Sequence, residues 1–104
     1  MKRIYISGPM SGYKEHNFPA FNEAAEKLRA LGWDVVNPVD INPDTNTSWL
    51  RCIAADILAM EGCTDIALLP GHENSDGSLM ERIAARHEHF VFHNIEDLLQ
   101  SEPA

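Results

Sequence analysis

The run Asp65-Ile66-Ala67-Leu68-Leu69-Pro70-Gly71 decides the fold. Successive side chains of a strand point to opposite faces, so the four apolar residues at 66–69 demand cover on both sides. That is the position of a central strand in a parallel sheet. Pro70-Gly71 then breaks the strand and opens a polar loop.

Working outward, each neighbour fits the same plan. Upstream, Ser48 caps a helix whose inward stripe reads Leu50, Ile53, Ala54 and Ile57, and Gly62 ends it. Downstream, residues 77–87 form a helix with Met80, Ile83 and Ala84 turned inward. Residues 90–92 make a last strand, and Asn94 caps a short helix holding Ile95, Leu98 and Leu99. Towards the N-terminus, residues 3–7 are a β-rich run. Asn17 caps a helix with Phe18, Phe21, Ala24, Leu28 and Leu31 near the 3.6 period, Gly32 stops it, and residues 33–36 form a second strand. Strand and helix alternate four times with short connections. This predicts an α/β, flavodoxin-like three-layer sandwich on a parallel sheet of about four strands in the order 2-1-3-4. Ligands of such sheets bind beyond the carboxyl ends of the strands where strand order reverses, which selects the loops after strands one and three.

At 104 residues the chain supports one core and not two. Its net charge of −8, with eight basic residues scattered among sixteen acidic ones, argues against gripping polymeric nucleic acid or an anionic membrane. Free nucleotides stay admissible, because backbone N–H groups can hold them. The apolar runs are too short to span a bilayer. The start Met1-Lys2-Arg3-Ile4-Tyr5-Ile6 is interrupted by Gly8, Pro9 and Gly12 and does not read as a signal peptide. Cys52 and Cys63 lack metal spacing, so the chain is expected to be cytoplasmic with reduced thiols. His87, His89 and His93 run across a helix end, a strand and a loop and make no ligand pattern; neither a metal nor a cofactor is expected.

The loop after strand one, Ser7-Gly8-Pro9-Met10-Ser11-Gly12, lets backbone N–H groups approach a ligand, although a plain turn has the same composition. It is neither a Walker loop nor a dinucleotide fingerprint. The loop after strand three, Ser75-Asp76-Gly77-Ser78-Leu79-Met80-Glu81, sets a glutamate among the small side chains of Gly77, Ser78, Ala84 and Ala85, which leaves space beside its carboxylate. The alternative is a solvated glutamate favoured by the helix dipole. As a nucleophile in the first turn of its helix, Glu81 is expected to be replaceable by alanine with the fold intact, at under about 1 kcal/mol, and with turnover lowered by orders of magnitude. Asp56 lies at the apolar margin of the second helix, as a site residue or an exposed boundary residue. Tyr5 is the one polar-tipped aromatic in strand one and needs a hydroxyl partner if buried; otherwise it is a β-former.

Together, Ile4-Tyr5-Ile6-Ser7-Gly8-Pro9-Met10-Ser11-Gly12, Asn17-Phe18-Pro19-Ala20-Phe21-Asn22, Asp56, Cys63-Thr64-Asp65, Leu68-Leu69-Pro70-Gly71 and Ser75-x-Gly77-x-x-x-Glu81 resemble a small phage and bacterial branch of unknown function in the nucleoside 2-deoxyribosyltransferase-like superfamily. The resemblance covers nearly the whole chain. It implies a single nucleoside- or nucleotide-binding domain over residues 1–100, followed by a frayed tail at 101–104. It implies N-glycosidic cleavage or transfer on a (deoxy)nucleoside or nucleoside 5′-monophosphate, the latter as in the superfamily's monophosphate N-glycosidases. Glu81 would attack the sugar, Tyr5 would hold it, and Asp56 would assist at the base. Ser7, Gly8, Ser11, Gly12 and Ser75, with Met10, Gly77 and Ser78 beside them, would bind substrate. A monophosphate would then bind better than its nucleoside, with Asp76 opposing. Homodimers or higher homo-oligomers are implied as well, with Trp49, Leu58 and Met60 at the outer margin of the second helix. The rival from another class is a non-catalytic nucleotide-binding or nucleotide-signal-sequestering module using the same cleft. An interaction domain without a ligand is disfavoured, because Tyr5, Asp56 and Glu81 occur together.

Overall fold

The computed structural model describes residues 2–100; the expected tail at 101–104 lies outside them. Five strand residues, β1 (Arg3–Ser7), are followed by α1 (Phe18–Ala30), β2 (Asp34–Val36), the one-turn helix α2 (Pro38–Ile41) and α3 (Trp49–Ala59). Next come β3 (Asp65–Leu68), α4 (Asp76–His87), β4 (Val91–Asn94) and α5 (Ile95–Gln100). All strand pairs are parallel and the order is β2-β1-β3-β4, the winding expected.

Alternation along the central strands divides the core. Ile4, Ile6, Ala67 and Leu69 pack with Phe21, Ala24, Ala25 and Leu28 of α1 and Ile95 of α5. Tyr5 and Ile66 meet Met60, Cys63 and Ala85 on the side of α3 and α4. Helices therefore cover both faces, as the apolar run at 66–69 requires. Gly8 permits the tightest approach at the strand ends, since a Cβ there would lie 2.7 Å from the Cβ of Leu69.

Two helix faces differ from the hydrophobic pattern. On α3, Leu50 and Ala54 are exposed, and the inward face carries Ile53, Asp56 and, just past the helix, Met60. Met60 is thus core and not outer margin. On α4, Met80 and Ile83 are 47% and 50% exposed, whereas Ser78, Glu81 and Ala85 are buried. The reason is shared: both helices turn a carboxylate inward to polar partners, and the apolar stripes follow that rotation outward.

Smaller departures have local causes. Asn17 precedes α1 as expected but does not cap it; its side-chain amide donates to the Pro9 carbonyl at 2.9 Å. With Glu15 and His16 it forms three consecutive left-handed residues, φ 53°, 53° and 61°. Asn37 caps the unexpected α2, its Oδ1 accepting from Val39 N at 3.1 Å. Ser48 and Asn94 accept from Arg51 N and Glu96 N, in keeping with their expected capping. At the amino ends of the strands, buried Asp65 accepts from Thr64 Oγ1 at 2.5 Å and lies 2.7 Å from His93 Nε2.

Candidate active site

The parallel strands deliver their carboxyl ends to one edge of the sheet, and the loops after β1 and β3 diverge there. Between them and α3 lies a cavity of about 600 Å³. Glu81 reaches its wall from the second turn of α4, although only 4% of the residue is exposed. Its carboxyl group is held from the strand below. Tyr5 Oη donates to Oε2 at 2.7 Å, and Ser7 Oγ donates to Oε1 at 2.6 Å. Ser7 Oγ is also 2.7 Å from Ser78 Oγ, in a bond that can run either way. Tyr5 and Ser7 are two residues apart on β1 and so share a face, which is why both hydroxyls meet one carboxylate.

Asp56 approaches from α3 and lines the same cavity as Glu81. Asn42, from the loop after α2, donates Nδ2 to Asp56 Oδ1 at 3.0 Å and to the Cys52 carbonyl at 3.3 Å, pinning that loop to α3. Burial raises both acids. It pushes Glu81 up to about 8, against the lowering effect of the Ser7 and Tyr5 hydroxyls and with help from the nearby Asp56 charge. Burial likewise lifts Asp56 to about 6, with Asn42 and Glu81 pulling it down. Burial also holds the Tyr5 hydroxyl well above its usual range, followed by the repulsion of Glu81 and Asp56, so it stays a donor. Two acids sharing a proton in a dry pocket can supply a nucleophile and a proton donor.

Gly8, Met10, Ser11, Ser75, Gly77, Asp56 and Glu81 line the cavity. Tyr5, Ser7 and Ser78 are buried behind Glu81, so the side chains of Ser7 and Ser78 support the glutamate and do not form the wall. Gly12 is exposed and off the wall. Ser75 caps α4, its Oγ accepting from Ser78 N at 3.1 Å. Asn42, Tyr13, His16, Asp44 and Trp49 also line the cavity and were not found from sequence. They come from loops and helix ends, where no periodicity marks a residue; their only signal is polar or aromatic character in segments that needed neither. No group of three or more His, Cys, Asp or Glu able to hold a metal occurs among the described residues.

The family model described as Domain of unknown function (DUF4406) matches residues 2–93. None of the curated proteins matches the chain in sequence. A solved structure of a 2-desoxiribosyltransferase from Leishmania mexicana is similar, with a TM-score of 0.67 and 20% identity over 88% of this chain and 62% of that one. This chain therefore spans less than two thirds of that protein. A 2-deoxyribosyltransferase from the psychrotolerant bacterium Bacillus psychrosaccharolyticus is similar with a TM-score of 0.65 and 16% identity, over 96% of this chain and 92% of that one. At these identities the likeness is one of fold.

Proposed function

The chain belongs to the DUF4406 domain family, and we propose that it cleaves or transfers at the N-glycosidic bond of a (deoxy)nucleoside or nucleoside 5′-monophosphate, with Glu81 as nucleophile. The observation that carries this is the glutamate at the cavity wall, gripped by Tyr5 and Ser7, with a second acid, Asp56, on the same wall. The fold likeness to proteins named 2-deoxyribosyltransferases supports it. With substrate bound, the proton of Glu81 passes to Asp56; ionised Glu81 then attacks the anomeric carbon, the C1′–N bond breaks, and its electron pair leaves with the base. Asp56 gives the departing base a proton or a hydrogen bond. Water or a second base, losing its proton to the Asp56 carboxylate, then attacks C1′ and frees Glu81 as a carboxylate. Tyr5 and Ser7 orient the nucleophile, Ser78 steadies Ser7, and Gly8, Met10, Ser11, Ser75 and Gly77 contact the substrate.

Incubation with ribo- and deoxynucleosides and their monophosphates, with free base read by chromatography, tests this. Base should be released, and Glu81→Gln should lower the rate by orders of magnitude. A Glu81→Gln variant that keeps the rate refutes the assignment. One observation favours the second reading, a non-catalytic binding module. A carboxyl group raised to about 8 is mostly protonated at neutral pH and so is not a nucleophile until a ligand ionises it. Binding without base release would establish that alternative.

The proposal includes a cytoplasmic location, in keeping with two free cysteines. Among the described residues no helix is long and apolar enough to cross a membrane. It also includes self-association through the apolar side chains that α3 and α4 leave exposed, among them Leu58, Met80 and Ile83.

A further inference from the structure

The titratable side chains on the cavity wall are almost all acids. Asp44, Asp56, Asp76 and Glu81 face the space, neither lysine nor arginine lines it, and His16 is its one imidazole. The helix N-terminus that would suit a phosphate carries an opposing charge: Ser75 Oγ takes the Ser78 N–H, and Asp76 is the first residue of α4. At the mouth, two large aromatic side chains stand unusually open, Tyr13 at 47% and Trp49 at 48% exposure. Tyr13 reaches across from the β1 loop to the β3 loop, its Oη 2.6 Å from where a Cβ on Gly71 would sit. Trp49 stands beside Gly77 at the start of α4. Aromatic faces backed by carboxylates, with no competing cation, form the chemistry that recognises a delocalised positive charge.

We propose that this cleft selects a nucleoside whose base carries a fixed positive charge, seating the cationic ring between Tyr13 and Trp49, and that it rejects 5′-phosphorylated ligands. The inference rests on the N-glycosidic reading of the site and narrows its substrate. It reverses the preference for a monophosphate expected from the glycine- and serine-rich loops, because the second of them brings Asp76 and the loop after α2 adds Asp44 to the wall. It also matches the acids present. A cationic base leaves without protonation: the C1′–N electron pair neutralises the ring, and the carboxylate of Glu81 becomes a neutral glycosyl ester. Water then attacks C1′, its proton passes to the carboxylate of Asp56, and Glu81 is released as a carboxylate. Glu81, raised by burial, would moreover be drawn towards its ionised form by the approaching cation.

Calorimetric titration of the full chain at pH 7 tests this with two probe sets. One compares 1-methyladenosine with adenosine and adenosine 5′-monophosphate; the other compares nicotinamide riboside with its uncharged dihydro form. The cationic member of each set should bind about tenfold or more tightly, and the monophosphate about tenfold more weakly than adenosine. The double variant Asp44→Asn, Asp76→Asn should shrink the penalty on the monophosphate to about threefold, and Trp49→Leu should weaken the cations more than adenosine. Equal or weaker binding of the cations, tighter binding of the monophosphate, or no binding of any probe overturns the inference. Free base is scored in the same samples. The predicted order of affinities with no base released keeps the ligand class and rejects the N-glycosidic function. Base released only from neutral or phosphorylated probes does the reverse.

Discussion

Glu81→Gln should stabilise the folded protein, increasingly so as pH rises. The carboxyl group has an ordinary value near 4.5 and is lifted by burial to about 8 in the fold. Below pH 4.5 it is protonated in both states and contributes nothing to the difference. Between 4.5 and 8 the unfolded chain releases this proton while the folded chain keeps it, so stability falls as pH rises, and above 8 the loss is complete. At about 1.4 kcal/mol per pH unit, the penalty grows from about 1 kcal/mol at pH 5 to about 5 kcal/mol at pH 9. Glutamine carries no such penalty, and its geometry fits. Its oxygen can accept from Tyr5, and its amide can donate to Ser7, which then donates to Ser78 by reversing a bond that has no fixed direction. Urea unfolding followed by tryptophan fluorescence at pH 5, 7 and 9 gives both stabilities. The gap in favour of Glu81→Gln should widen by at least about 2 kcal/mol from pH 5 to pH 9, a threshold set below the full figure because Asp56 shares the proton. A gap that stays constant with pH, or a variant less stable than the parent at pH 9, refutes the reasoning.

Gly8→Ala should lower stability by about 1–3 kcal/mol, read as a fall in Tm of several degrees, because its Cβ would meet Leu69 at 2.7 Å and part the ends of β1 and β3; an unchanged Tm shows that the contact relaxes freely. Light scattering at roughly tens of micromolar, in the range where modest affinities register, should give a dimer or larger assembly that Ile83→Asp dissociates, and a strict monomer ends the proposal of self-association.

The fold was legible because its signals are local: apolar residues at 66–69, glycine after α1 and α3, and a capping residue before α3 and α5. The candidate site was legible in part, through Tyr5. A hydroxyl on a buried central strand must find a partner, and Glu81 answers that need at 2.7 Å. Yet reading Met80 and Ile83 as core conflicts with reading Glu81 as a site residue, since a helix turns about 100° per residue and cannot bury all three. Apolar periodicity predicts the inward face only where burial follows polarity, and a buried carboxylate inverts that rule. The same oversight made Glu81→Ala look inexpensive. In the fold alanine would strand the Tyr5 hydroxyl, at about 1–3 kcal/mol. Asn42, Tyr13 and Trp49 were out of reach because loop closure, which no local pattern encodes, brings them to the cavity.

The left-handed turn at 15–17 changes how substitutions along this chain should be ranked. Where φ is negative, a glycine introduced into an ordered segment loosens it. At Glu15 and His16 the backbone already occupies the region that side chains resist, with φ at 53° in both. Glycine there relieves a conflict with the backbone, and β-branched residues deepen it. Asn17 is the exception, because asparagine tolerates this geometry and its amide ties the turn to Pro9. A substitution matrix averaged over ordinary proteins therefore has the wrong sign at two adjacent positions, the second of which, His16, lines the cavity. A library aimed at its specificity should draw on glycine and asparagine at both.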